Sequence, residues 1–320
     1  MSWYVGVDLG ATNIKAVVGD ERGAVVSRAR RRTPRGPDGE AVSAALVAAV
    51  SEALDHAGVD PEEVAACGVG SIGPLDTAAG EVGPSANLAE RIDRVPLVAP
   101  LADLLDAEVT LVNDADAGVI GERFYADRAP DDMAYLTISS GIGAGVAVDG
   151  HVLSGWDGNA AEVGHDTVEV GGLECGCGVP GHWEAYCSGN NIPRHARYVY
   201  EMEEVTTDLP LDDIEARDVF AAAGSDPLAD RVLERIRRFN AAGVADLVHA
   251  YAPLVVYVGG AVARNNPEQV VEPIRERLPD LVMANVPDVR LTSLGDEAVV
   301  RGALAAALTA DTGELPPARR

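Results

Sequence analysis

The segment Asp8-Leu9-Gly10-Ala11-Thr12-Asn13-Ile14-Lys15 lies between two apolar runs, residues 3–7 and 16–18. Two apolar runs joined by a short glycine-containing segment predict two β-strands connected by a tight turn. Small residues in such a turn let the backbone approach a ligand closely, and its N–H groups can bind phosphate. Asp8 adds a carboxylate for a metal–water shell, and Lys15, the only lysine of the chain, adds an ammonium group. A tight turn without a ligand has a similar pattern, so both interpretations stay open.

Residues 135–148 repeat the pattern, because they again predict a strand, a glycine-rich turn and a strand. A turn at Asp149-Gly150 then leads to a third strand, as the turn at residues 20–23 does near the N-terminus. The repeat predicts a duplicated domain in which each half presents a phosphate-facing loop to a shared cleft.

Between the two copies, a short apolar strand ends at Asn113 and a helical pattern begins, which places Asp114 at a strand-to-helix junction. Ligand sites of open α/β sheets gather at such junctions. A carboxylate at the start of a helix is favoured by the helix dipole and suits a general base that faces a hydroxyl group. Asp is also a common N-cap residue, so a purely capping role for Asp114 stays open. Asp116 is interpreted as compensation of the dipole in the first turn.

Four metal-ligating side chains lie within residues 165–182: His165, Cys175, Cys177 and His182. Thiolate and imidazole ligands together select zinc over magnesium or calcium, and four of them complete a tetrahedral structural site. The carboxylates of Glu162 and Glu184 flank this cluster, and because they are poor ligands for that metal they are expected to hydrogen-bond another group. A rigid metal site edged by carboxylates suggests a binding site for a neutral, polyhydroxylated ligand such as a sugar.

Together these segments resemble the ROK family of sugar kinases, within the actin-like, ribonuclease-H-like ATPase superfamily. The resemblance extends over nearly the whole chain and rests on residues 8–15, 113–122, 137–145, 162–165 and 175–184. It implies an α/β fold of two actin-like (ribonuclease-H-like) ATPase domains with a cleft between them. The expected domains are residues 1–110, joined by a C-terminal helix at 296–310, and residues 111–295, which contain the zinc motif.

Several helices are predicted within these two domains. One spans residues 40–56 and is closed by Gly58, a second spans 227–251 and is capped by Asp226, and the final one spans 296–308. Residues 312–320 are expected to fray.

The resemblance also implies roles for individual residues. Asp114 would be the general base that takes the proton of the primary hydroxyl group of the sugar. The other sugar hydroxyls would be held by Asn87, Asn113, Glu162, His165 and Glu184. ATP and Mg²⁺ would be bound by Asp8, Gly10, Ala11, Thr12, Asn13, Lys15, Ser140, Gly141, Gly259 and Gly260. A structural Zn²⁺ would be bound by His165, Cys175, Cys177 and His182, with His165 turning its other ring nitrogen toward the sugar.

Two positions depart from the family pattern. His182 replaces the third cysteine of the zinc signature, and Cys187, in what looks like a helix start, is an alternative fourth ligand. Ala86 stands where relatives have a proline before Asn87, which weakens the assignment of that residue.

The resulting expectation is an ATP-dependent kinase that phosphorylates the 6-hydroxyl of glucose. Alternative substrates are N-acetylglucosamine, N-acetylmannosamine, mannose and fructose. A non-catalytic, sugar-sensing regulator is the alternative from another class, but such relatives carry a DNA-binding segment before the first motif, and only seven residues precede Asp8. Relatives commonly form dimers or tetramers, so a homo-oligomer is expected.

Charge and composition indicate the ionic environment of the protein and the class of partner that it does not bind. The net charge is −26, with 51 acidic against 25 basic residues. An acidic, solvated surface of this kind indicates a salt-adapted organism such as a haloarchaeon. The same charge argues against nucleic acid as a partner, and the one basic run, residues 28–32, fits a strand end better.

No signal peptide is expected, because the first residues run directly into a predicted strand, and no apolar run reaches membrane-spanning length. With four cysteines, two of them in Cys175-Gly176-Cys177, it favours metal binding in a reducing cytoplasm over disulfides. Cys67 is expected in the core.

Overall fold

The computed structural model describes residues 2–84, 88, 92–283 and 285–309. Asn87 and the predicted fraying tail at 312–320 lie outside the described residues, as does the last residue of the predicted C-terminal helix segment at 296–310.

Groups of strands and groups of helices follow one another along the chain. The strands are β1 Trp3–Leu9, β2 Asn13–Gly19, β3 Val25–Arg32, β4 Val64–Ser71, β5 Leu75–Asp76, β6 Glu81–Val82, β7 Val95–Pro96, β8 Glu108–Asn113, β9 Met133–Ile138, β10 Ile142–Val148, β11 His151–Val152, β12 Val255–Gly259 and β13 Asp288–Leu291. The helices are α1 Gly39–Ala57, α2 Val98–Leu105, α3 Asp114–Tyr125, α4 Glu184–Cys187, α5 Ile192–Met202, α6 Ala216–Ala221, α7 Pro227–Tyr251, α8 Ala261–Asn265, α9 Pro267–Leu281 and α10 Ala298–Leu308. Single 3₁₀ turns lie at Pro61–Glu63, Val163–His165 and Gly295–Glu297.

The chain divides into two compact units. The first comprises Met1–Asp131, Gly145–Ala161 and Ser293–Arg320, and the second comprises Asp132–Ala144 and Glu162–Thr292. The predicted boundary after residue 110 falls inside β8, whereas the division in the structure leaves β8 and the following helix α3 in the first unit. The reason is that β8 pairs with β4 of the first sheet and α3 packs against α10.

The first unit is built on a five-stranded sheet of order β3-β2-β1-β4-β8. Strands β1 to β3 form an antiparallel meander, and β4 and β8 extend the sheet with parallel pairings. Because side chains alternate between the faces of a strand, Val5 and Val7 point into the core with α1 while Gly6 lies against α10 on the other face. Cys67 of β4 is fully buried in that core, as expected.

The local capping signals of the predicted helices are present in the structure. Asp38 caps α1 by accepting a hydrogen bond from Ala41 N, and Gly58 ends the helix with a left-handed φ of 66°. Helix α7 begins at Pro227 after the Asp226 cap and ends at Tyr251, as predicted. The final helix begins at Ala298 rather than at residue 296, because residues 295–297 form a separate 3₁₀ turn.

The second sheet repeats the topology of the first. Its order is β11-β10-β9-β12-β13, so that in both sheets the third, second, first, fourth and fifth strands follow one another. The predicted Asp149-Gly150 turn is present, with φ angles of 49° and 81°. The predicted duplication is therefore confirmed at the level of strand order.

Among the residues that the structure describes, no helix combines the length and apolar character needed to cross a membrane.

Candidate functional site

The turn between β1 and β2 is held by several backbone contacts in the first unit. Gly10 N donates to Asn13 O at 3.0 Å, and the Thr33 hydroxyl donates to Gly10 O at 2.7 Å. Asp8 and Lys15 are direct cross-strand partners, and their charged groups lie 3.5 Å apart. The hairpin therefore presents a carboxylate and an ammonium group together beside a fixed turn.

The Asp8 carboxyl group is largely buried, with 9% of the residue exposed. Burial raises the pKa of Asp8 from 3.8 to about 6, against the opposing effect of Lys15. At neutral pH the group is still ionised, so it can bind a metal–water shell.

The strand-to-helix junction resolves the two interpretations of Asp114. Asn113 is the N-cap of α3, and its side chain accepts a hydrogen bond from Ala115 N at 2.8 Å. Asp114 is therefore the first residue of the helix, and the interpretation of Asp114 as an N-cap is wrong. A half-buried carboxylate at this position lies where the positive end of the helix dipole favours negative charge.

Asn159 is a polar residue near this junction that sequence reasoning missed. A Cβ atom placed on Gly73 would lie 3.6 Å from Asn113 Nδ2 and 3.9 Å from Asn159 Oδ1. The two amide groups thus border the same space, which the glycine leaves open. The only signal in the sequence was the polar, glycine-rich run at residues 155–159, which by itself indicates a turn.

The four predicted metal ligands come together in the second unit. Their ligand atoms all lie within 4.8 Å of one another. His165 Nδ1 is 3.3 Å from His182 Nδ1 and 3.8 Å from Cys175 Sγ, and Cys177 Sγ is 3.2 Å from His182 Nδ1. Zinc bound tetrahedrally by nitrogen at about 2.0–2.1 Å and sulfur at about 2.3 Å separates its ligand atoms by roughly 3.3–3.8 Å. The donor set and its spacing therefore fit zinc.

The fourth position of this cluster belongs to His182, and Cys187 lies elsewhere. Cys187 is the last residue of the short helix α4, not a helix start, and its thiol contacts Ile236 O at 3.7 Å in the core. Burial and the neighbouring His165 lower the pKa of His182, which favours the neutral ring that metal binding requires.

Glu184 links the metal loop to the second glycine-rich turn. Its Oε2 atom accepts a hydrogen bond from Ile142 N at 2.8 Å, and a Cβ atom on Gly141 would lie 2.7 Å from the same oxygen. Gly189 N also donates to Ser139 O at 2.7 Å. One carboxylate oxygen of Glu184 is therefore engaged with the backbone, and Gly141 is required for this close approach.

Buried side chains next to the metal loop form hydrogen bonds that the sequence did not reveal. Trp183, between His182 and Glu184, is fully buried and donates its indole N–H to Asn240 Oδ1 at 2.8 Å. His195 contacts Tyr186 O at 3.0 Å through Nδ1 and Arg235 Nε at 3.1 Å through Nε2. Because arginine only donates, Nε2 accepts and Nδ1 carries the proton.

Gly259 and Gly260 lie where β12 passes into α8. Gly260 has a φ of 85°, and a Cβ atom there would lie 2.3 Å from Ile138 O. A Cβ atom on Gly259 would lie 2.2 Å from the Tyr135 hydroxyl. Both positions therefore have no room for a side chain, and Gly259 is itself buried whereas Gly260 is partly exposed.

The predicted site residues divide between the two units. The first unit contains Asp8, Gly10, Ala11, Thr12, Asn13, Lys15, Asn113 and Asp114. The second contains Ser140, Gly141, Glu162, His165, Cys175, Cys177, His182, Glu184, Gly259 and Gly260.

Comparisons with known proteins show the family to which the chain belongs. The sequence model of the ROK family matches residues 4–310. A glucokinase from Pyrobaculum calidifontis is 38% identical over 312 residues, which cover 96% of this chain and 95% of that protein. Among solved structures, a ROK hexokinase from Thermus thermophilus has a TM-score of 0.81 and 35% identity, covering 95% of this chain and 97% of that one. A ROK glucokinase from Streptomyces griseus, in complex with glucose and AMPPNP, has a TM-score of 0.76 and 33% identity, covering 96% and 99%.

Proposed function

The chain belongs to the ROK family and has the actin-like, ribonuclease-H-like α/β fold of its kinase members, and from this premise we propose that it is an ATP-dependent glucokinase. The observation that carries the proposal is the junction of β8 and α3. There Asn113 is the N-cap of α3, and Asp114, which carries the carboxylate, is the first residue of the helix. The relatives that are named glucokinases add glucose as the substrate.

In the proposed reaction, Asp114 takes the proton of the 6-hydroxyl of glucose as that oxygen bonds to the γ-phosphorus of ATP. The bond from this phosphorus to the β,γ-bridging oxygen breaks, and ADP leaves. Asn113, Glu162, His165 and Glu184 hold the other hydroxyls, and His165 Nδ1 faces the metal cluster so that Nε2 remains for the sugar. Asn87 keeps this role as a prediction from the sequence alone.

The nucleotide would be bound by the two glycine-rich turns. The phosphates would contact residues 10–13 and 140–141. The Lys15 and Asp8 side chains, whose charged groups lie 3.5 Å apart, would supply charge beside them. Gly259 and Gly260 border the nucleoside. Mg²⁺, when bound with ATP, would neutralise charge on the transferred phosphoryl group. Positioning and charge complementarity are the main requirements of phosphoryl transfer, and these residues provide both.

The direct test is ADP release with Mg-ATP in concentrated KCl, with glucose, mannose, fructose, N-acetylglucosamine and N-acetylmannosamine as substrates. We expect strong turnover with glucose and a loss of about 10²- to 10⁴-fold in Asp114→Asn, the range for a positioned base. Asp288→Asn, an aspartate that pairs with Arg290 on β13, is the matched control and keeps full activity.

The other outcomes decide between the alternatives. Preferred turnover with another of these sugars would keep Asp114 as the base and overturn glucose as the substrate. An absence of turnover with every sugar, in protein that is folded and contains zinc, would overturn the kinase and leave a sugar-sensing regulator.

We further propose that the cluster of His165, Cys175, Cys177 and His182 holds a structural Zn²⁺. Zinc would supply a rigid cross-link that fixes the loop preceding Glu184. Elemental analysis should give one zinc per chain. His182→Cys and Cys187→Ser should retain it, whereas His182→Ala should lose it and melt at a lower temperature. Retention in His182→Ala combined with loss in Cys187→Ser would contradict this ligand set.

We also propose that the protein is cytoplasmic and forms a homo-oligomer, either a dimer or a tetramer. The four unpaired thiols support a reducing compartment.

A further inference from the structure

The Lys15 ammonium is held by a turn from the far end of the chain. Lys15 Nζ donates a hydrogen bond to the main-chain oxygen of Asp296. The carboxylate of Asp296 lies 3.5 Å from the same nitrogen, the distance at which Asp8 also lies. The ammonium group of Lys15 therefore lies between two carboxylates, one from β1 and one from the 3₁₀ turn before α10.

That 3₁₀ turn is itself fixed on both sides. Glu297, the next residue, binds Arg28 of β3 at 2.6 Å and Arg301 of α10 at 2.8 Å. Gly295 starts the turn with a φ of 65°, a conformation that favours glycine. The contact with Lys15 is thus made by a clamped segment rather than by a loose loop.

Lys15 also borders open space. A cavity of about 270 Å³ in the first unit is lined on the strand side by Lys15, Arg28 and Arg30, and on the helix side by Asp296 and Glu297. The Lys15 side chain is 20% exposed, so its ammonium group remains accessible while it is held.

We propose that Asp296 is a positioning residue that orients the Lys15 ammonium group for the phosphates of ATP. A lysine side chain loses rotamer entropy when it is fixed, and this loss opposes the binding of a ligand. Contacts with Asp296 restrict it before the nucleotide arrives, so less of this cost falls on binding. The inference rests on the proposed function only in naming ATP as the ligand.

The single lysine allows a direct measurement on Lys15 that needs no catalysis. Reductive methylation with ¹³C-formaldehyde labels Lys15 and the N-terminal amine and keeps both positively charged. We expect the Lys15 signal in the NMR spectrum to shift and narrow in Asp296→Asn, because the side chain gains mobility. Asp288→Asn, also an ion-paired aspartate, should leave the signal at its wild-type position. An unchanged signal in Asp296→Asn would overturn the proposal.

Calorimetric binding of ATP by unlabelled protein tests the consequence. Asp296→Asn should raise the Kd for ATP about two- to fivefold, a range set by a partly exposed ion pair of up to about 1 kcal/mol. In a Lys15→Met background the same substitution should change the Kd little, because its effect passes through Lys15. Equal effects in both backgrounds, or tighter binding in Asp296→Asn, would overturn positioning. Circular dichroism checks that each variant is folded.

These outcomes are separable from a failure of the kinase assignment. If the protein binds ATP and the Lys15 signal responds to Asp296→Asn, but no sugar is phosphorylated, the positioning role stands and the catalytic proposal fails.

Discussion

The His195 imidazole is fully buried on α5 between a backbone carbonyl and the Arg235 side chain. Burial, with a further contribution from the charge of Arg235, lowers the pKa of His195 from 6.5 to about 3. In the unfolded chain the ring takes up a proton near pH 6.5, whereas in the folded protein it stays neutral. His195 therefore contributes full stability above about pH 6.5, and this contribution is lost as the pH falls from 6.5 toward 3.

We expect this residue to be visible in the pH dependence of unfolding. Between about pH 7.5 and pH 5, protonation of the unfolded state should cost wild-type protein about 2 kcal/mol at this one site. His195→Gln keeps a donor and an acceptor but does not titrate, so its free energy of unfolding should fall by about 2 kcal/mol less over the same interval. Chemical denaturation at both pH values measures the difference. Equal falls in both proteins would contradict the assignment, because the two proteins differ only at position 195.

At the scale of elements, helix α10 lies against the first sheet through positions that lack side chains. A Cβ atom on Gly68 of β4 would lie 1.9 Å from Ala303 O, and one on Gly6 of β1 would lie 2.5 Å from Val300 O. Gly302 of the helix has an equally close neighbour, because a Cβ atom at this position would lie 1.6 Å from Ala117 O in α3. The helix backbone therefore rests directly on β1, β4 and α3, and it cannot move away without losing the packing of Leu304 and Ala305.

Gly68→Ala is expected to destabilise the protein by about 2–3 kcal/mol, because the methyl group meets backbone rather than a flexible side chain. Gly83→Ala is the matched control, since among the residues that the structure describes its Cβ atom would meet only Pro74, at 3.6 Å, an ordinary contact. That variant should change the free energy of unfolding by no more than about 0.5 kcal/mol. Chemical denaturation of both variants measures this. A cost for Gly68→Ala no larger than that of the control would show that α10 shifts freely on the sheet.

At the scale of the whole molecule, charge is the dominant property. An excess of 26 negative charges repels itself unless counterions screen it. The Debye length falls from about 10 Å at 0.1 M salt to about 3 Å at 1 M, so screening becomes effective only at high ionic strength. The arginines form ion pairs that offset part of the charge locally, as Arg31 does with Glu52 and Arg277 with Glu234.

The melting temperature should therefore rise by roughly 10 °C or more between about 0.1 M and 3 M KCl. Thermal scans at several KCl concentrations measure this, with sucrose as an uncharged control for general exclusion effects. A melting temperature that does not depend on KCl would contradict the prediction of a salt-adapted protein.

Much of the fold and several parts of the site depend on short stretches of sequence, and these were predictable. Each of these features lies within one short continuous segment of the chain: the meander of β1 to β3 and its repeat, the caps of α1 and α7, and the four metal ligands. Turns, caps and metal loops are local structures, because the atoms that stabilise them are near neighbours in sequence.

The tertiary structure decided what depends on residues far apart in the chain. Lys15 and Asp296 are separated by 281 positions, Trp183 and Asn240 by 57, and Ile142 and Glu184 by 42. It also excluded two alternatives that the sequence had left open, because Asn113 is the N-cap of α3 in place of Asp114, and the metal cluster contains the expected His182 and not Cys187. The physical reason is that hydrogen bonds, ion pairs and metal coordination act over a few ångströms in space, and only the packing of strands and helices determines which distant residues come that close.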